Sequence, residues 1–158
     1  MKIASVSEIK QELTHASQKE LVALCLHLAK FKKENKELLT YLLFESHDQQ
    51  GYINNVKKEI DEQFIEINRS SIYYAKKSLR KILRIINKYI KHTGSKEAEV
   101  EIRLHYCQSM KGSGIRFEKS NTLKNLYQGQ IKKIKEAIET FHEDLAYEYL
   151  RQVDRLSD

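Results

Sequence analysis

Ala98-Glu99-Val100-Glu101-Ile102-Arg103-Leu104-His105-Tyr106-Cys107 is the stretch on which the fold class turns. Val100, Ile102, Leu104 and Tyr106 alternate with Glu101, Arg103 and His105, the period-2 pattern of a half-buried strand. Yet no other segment alternates well enough to pair with it, and a lone strand leaves its backbone donors and acceptors unsatisfied. The same residues also fit a helix. Ala98, Ile102 and Tyr106 then share one face, with Leu104 and Cys107 on its flank. The spacing therefore predicts a helix contacted from two sides, and with it an all-α protein.

Outward from this segment the chain reads as helix nearly throughout. It has no proline and five glycines among 158 residues, where average usage gives about eight and eleven. The two strongest helix breakers are thus scarce. Caps and apolar spacing divide the chain into about eight helices. Ser5 with Glu8 and Ser17 with Glu20 form the capping-box pattern at the first two N-termini. The second helix carries Leu21, Leu24, Cys25 and Leu28 on one face, widened by Leu26 and Ala29, a pattern expected to be buried on more than one side. Glu34 to His47 reads as a third helix with Leu38, Leu39, Leu42 and Leu43 inward. Ile53, Val56, Ile60, Phe64 and Ile67 mark a fourth, from about Gln49 to Asn68. Ser70 or Ser71 caps the fifth, which ends at Gly94. Leu123 to Phe141 and Leu145 to Leu156 carry the stripes of the last two.

Short connections predict antiparallel neighbours, so the expected architecture is helices stacked as antiparallel hairpins, a bundle or a short α-solenoid-like array. No fixed-period repeat is legible. The length predicts one helical domain over 1–158, with a flexible loop at 111–121 around Gly112 and Gly114. Cys25 and Cys107 lie in apolar surroundings and in no metal-spaced or redox pair, so both are expected to be small buried hydrophobes in a reducing compartment. The longest greasy stretch, Leu21 to Ala29, falls far below the roughly 20 residues that cross a bilayer, and no signal-peptide core follows Met1. A cytoplasmic protein away from membranes is the expectation.

Charge is the strongest functional signal. Between Arg69 and Lys91 the chain has eight basic residues and no acidic one. With 28 basic and 22 acidic residues in all, the rest of the chain is slightly acidic. At about 100° per residue, Lys77, Lys81, Arg84, Lys88 and Lys91 fall within an arc of about 80°. Ile72, Ala75, Leu79, Ile82, Leu83, Ile86 and Ile90 lie opposite and are expected to be buried, and Tyr73, Tyr74 and Tyr89 flank the ridge. Like charges at i,i+4 repel by a few tenths of a kcal/mol per pair, so an unbroken cationic ridge does not serve helix stability. Three readings follow: a solvated face relieved by Glu59, Asp61 and Glu62 of the preceding helix, a surface for an acidic protein partner, or a surface for nucleic-acid phosphates. The expectation adopted is a non-enzymatic helical interaction module presenting this helix, about 70–93, to an acidic partner, with nucleic acid as the alternative and, behind both, an enzyme or metalloprotein whose site is assembled from distant polar residues.

Chemistry is otherwise sparse. Glu12-Leu13-Thr14-His15 and Glu139-Thr140-Phe141-His142 match the Glu-x-x-His spacing of helical-bundle metal sites, but both sit at helix ends. Glu97, Glu101 and His105 form an i,i+4,i+8 row that any polar face would show. No Ser-His-Asp or Cys-His signature is legible, and no cofactor or metal is called for. The nine tyrosines are expected at the edges of the apolar stripes with wet hydroxyls.

Overall fold

A computed structural model describes residues 1–157 of the chain. It holds eight α-helices and, among the described residues, no strand. The helices fall into two compact units, Met1–Phe44 and the remainder from Glu45.

The first unit contains α1 (Val6–His15), α2 (Gln18–Phe31) and α3 (Lys33–Thr40), followed by a π-helical turn over Tyr41–Glu45. Both capping boxes form. The Glu8 backbone N–H donates to Ser5 Oγ at 3.2 Å and the Ser5 N–H to Glu8 Oε2 at 2.7 Å. Ser17 and Glu20 repeat the arrangement at 3.2 and 2.8 Å. The Asn35 side-chain amide donates to the Leu28 carbonyl at 2.8 Å and closes the α2–α3 turn.

Two expectations fail in this unit. Leu21, Leu24, Leu26 and Leu28 are exposed, not buried on more than one side, and Cys25 is exposed with them. The third helix stops at Thr40, and Leu42 and Leu43 lie exposed on the π-helical turn. No side chain of α1, α2 or α3 is buried. The cause is size. Three short helices in 44 residues have too little volume to enclose a core, so their apolar stripes remain at the surface.

The second unit contains α4 (Gln49–Ile65), α5 (Ile72–Thr93), α6 (Lys96–Gly112), α7 (Asn121–Ile138) and α8 (Glu143–Ser157). Ala98–Cys107 is helical, as the pairing argument required. Its alternation has a tertiary cause, because α6 packs against α4, α5, α7 and α8. Ala98, Val100, Ile102, Leu104, Tyr106 and Cys107 are all buried, on two opposite sides of the helix, while Glu97, Glu101 and His105 run between them. Cys107 is wholly enclosed, and burial pushes its thiol up to about 12.

The ends of these helices follow local chemistry. Ser71, Ser95 and Ser120 each accept a backbone N–H in the first turn of α5, α6 and α7. Gly94 ends α5 with φ 60°, a left-handed conformation that a side chain disfavours. The 111–121 segment is tethered: α6 runs to Gly112, a 3-10 turn covers Phe117–Lys119, and Ile115 and Phe117 are buried. Phe117 stacks on Tyr127 with ring centroids 5.0 Å apart.

The tyrosines also depart from expectation. Tyr106, Tyr127 and Tyr149 are buried, and their hydroxyls donate to the Leu79 carbonyl, the Leu156 carbonyl and Glu101. A phenol can lie inside when its proton finds an acceptor there, so ring position in an apolar stripe does not imply a wet hydroxyl.

Ile82 and Ile86 of α5 are 1% and 0% exposed, whereas Lys81 is exposed. Ile82→Ala or Ile86→Ala is therefore expected to cost about 2–5 kcal/mol, and Lys81→Ala to stay within about 0.5 kcal/mol of the parent. Urea unfolding of the three variants checks the orientation of α5; a reversed order would refute it.

Candidate interaction surface

The ridge on α5 exists because most of the opposite face of the helix is committed to the core. Ile72, at the first turn, is exposed and Leu83, at the edge of the stripe, is half-buried, so neither is the core residue expected. Ala75, Leu79, Ile82, Ile86 and Ile90 are buried, which turns Lys77, Lys81, Arg84 and Lys91 outward into exposed positions. Lys88 lies at the margin and is half-buried, with its ammonium 5.5 Å from the Tyr89 ring centre. Arg80 is exposed beside the ridge and Lys76 is half-buried. Tyr73 and Tyr74 are exposed near its N-terminal end, where Lys77 Nζ lies 5.1 Å from the Tyr73 ring centre. Arg69 belongs elsewhere. Its guanidinium donates to the carbonyls of Ser113 at 2.9 Å and Phe64 at 3.1 Å, and so ties the end of α4 to the α6–α7 connection.

Two of the three acids of α4 are turned to other partners. Glu59 accepts the Tyr89 hydroxyl at 2.7 Å, and Asp61 Oδ1 lies 2.7 Å from His105 Nε2, while Glu62 is exposed. Among the described residues, Lys76, Lys77, Arg80, Lys81, Arg84 and Lys91 make no ion pair. Four of the five cations singled out from the sequence stand in solvent on one face, and the fifth borders them.

The row Glu97, Glu101 and His105 does more than face water. Glu101 pairs with Lys57 at 2.7 Å and accepts the Tyr149 hydroxyl at 3.2 Å, while His105 meets Asp61. These contacts latch α6 to α4 and α8 and line a polar cleft of about 300 Å³. The burial of Tyr149 and the adjacent carboxylates push its phenol far up, so it stays a neutral donor. Every charged group named in the cleft has a partner within the protein, and the arrangement reads as interhelical fastening.

Arg103 is the functional-looking residue that sequence reasoning missed. It is 5% exposed and donates to Glu99 at 3.0 Å, Asn87 at 3.0 Å and Gln130 at 2.7 Å. One guanidinium thereby joins α5, α6 and α7 in the core. The Glu99–Arg103 i,i+4 spacing was the available signal, hidden because the alternation assigned Arg103 to a polar face.

The two Glu-x-x-His segments belong to different units. His142 lies outside α7 and α8, 3.9 Å from Asp144, and Glu139 caps the end of α7. Among the described residues no group of three or more His, Cys, Asp or Glu is placed to hold a metal ion. No helix among them is long and apolar enough to cross a membrane. Comparison with protein families, curated proteins and solved structures gives no match to the chain.

Repulsion along the ridge has a measurable consequence. Lys81→Glu replaces repulsion from Lys77 and Arg84 with attraction and is expected to add up to about 1 kcal/mol of stability. For a chain of this size that raises Tm by about 2–4 °C, readable by thermal circular dichroism. A fall in Tm would show that Lys81 serves the fold.

Proposed function

We propose that this protein is a non-enzymatic helical interaction module whose α5 ridge docks an acidic surface of a protein partner. The observation behind the reading is the run of solvent-facing cations on α5, left without ion pairs although acidic side chains lie on the adjacent helix. Repulsion among them persists in the free protein and is relieved when an anionic surface approaches. Such a ridge steers encounter and fixes orientation, acting most strongly at low salt. A packed helix keeps the charges aligned, so little ordering entropy is lost on binding.

Nucleic-acid phosphate is the second reading, favoured by the exposed Tyr73 and Tyr74 rings beside the cations. Aromatic faces next to a basic groove are how sequence-tolerant single-strand binders hold bases.

Fluorescence anisotropy with three labelled probes tests both readings: an Asp/Glu-rich peptide, duplex DNA and single-stranded RNA. The expected result is peptide binding that weakens with salt and is lost in the Lys77→Glu/Lys81→Glu/Arg84→Glu variant, whose three changes are on exposed positions. Tighter binding of a nucleic acid, with a log–log salt slope of about −0.9 per phosphate on duplex, would transfer the ridge to the second reading. Wild type that binds none of the three at micromolar concentration leaves the ridge as a solvated face and overturns both.

A further inference from the structure

We infer that the α2–α3 hairpin of the first unit is a self-association surface, and that its occupant is the same hairpin of a second copy packed antiparallel. This inference is independent of the ridge. α2 is apolar on two faces, one carrying Leu21, Leu24 and Leu28 and the other Val22 and Leu26, yet none of these five is buried. A helix that is apolar over more than half of its circumference needs a covering partner, with Lys19, Glu20, His27 and Lys30 left on the solvent side. Beside α3 its side chains line an open apolar groove that includes Cys25, Leu28 and Leu42.

Area favours a partner of protein size. The exposed large apolar side chains between Leu21 and Phe44 leave on the order of 900 Å² in water, spread over the hairpin. A standard interface buries roughly 800 Å² per partner, of which somewhat more than half is apolar, so one hairpin supplies the apolar part of one side. Two such hairpins make a four-helix bundle, the common way for units this small to complete a core.

Charge selects the orientation. The α2–α3 turn carries Lys30, Lys32, Lys33 and Lys36 against Glu34 and Glu37, whereas the other end of α2 carries Lys19 and Glu20. A parallel pairing sets two net-positive turns side by side. An antiparallel pairing moves them apart by about the 21 Å length of a 14-residue helix, beyond the roughly 8 Å screening length at physiological salt. The α2 midpoint then sits near the two-fold axis. Cys25 occupies that midpoint and is exposed, so the two copies bring their Cys25 side chains close together.

Sedimentation velocity and thiol crosslinking of the full chain test this. Wild type is expected at twice the 18.7 kDa chain mass. Leu24→Asp/Leu28→Asp should raise the dissociation constant at least about 100-fold, because charges would be taken from water into an apolar contact. Its far-UV circular dichroism should keep the helicity of the second unit, where neither residue lies. A short bis-maleimide should couple wild-type chains through Cys25, and Cys25→Ser should abolish the product, since Cys107 is enclosed. A wild-type monomer at high micromolar concentration, or a dimer that survives the double aspartate change, overturns the surface. A dimer without Cys25 crosslinking overturns the antiparallel register.

Discussion

A helix packed against four neighbours must be buried on more than one side, and the second unit is organised around that requirement at α6. Over most of the helix only the strip through Glu97, Glu101, His105 and Gln108 reaches solvent, so the one full charge the helix carries inward, Arg103, has to be neutralised within the core. Glu99 supplies the counter-charge at Nε, and Asn87 and Gln130 accept from Nη1. Such a group is costly to orphan and geometrically demanding to satisfy. It therefore fixes how α5 and α7 sit on α6. The inward stripe of α5 is set by that contact, and the outward direction of its cations follows from it.

Sequence periodicity revealed which residues share a face but not what lies opposite. For α5 the two coincide, because a strong amphipathic contrast admits one orientation. For α6 the contrast weakened, since a helix covered on two sides keeps only a narrow polar strip for periodicity to rely on. In α2 the failure ran the other way: Leu21, Leu24 and Leu28 form a good stripe, yet within this unit no volume is available to cover it. The serine caps were legible because their chemistry is local. The tyrosine hydroxyls and Arg103 were not, because their acceptors lie on other helices, more than fifteen residues away for all but Glu99.

The distribution of charge separates two uses of the same residue types. Lys57, Glu101, Asp61 and His105 are spent between helices, where partial burial makes a pair more than a surface ornament. Among the described residues, Lys77, Lys81, Arg84 and Lys91 of α5 make no such pair. Nothing in the sequence distinguishes these classes by residue type alone; what separates them is whether an opposite charge is carried by the facing helix and directed at them. Helix stability would be served by acids interspersed along α5.

The enclosure of Cys107 also makes it a clock. A thiol held in its protonated form and shielded from solvent does not react with maleimides or disulfide reagents while α6 is covered. Each modification of that sulfur must wait for a fluctuation that parts the surrounding helices. Its labelling rate, compared with that of Cys25 on the surface, therefore reports the free energy of opening the second unit from the inside. The native sequence carries both the reporter and its control, without a single engineered residue.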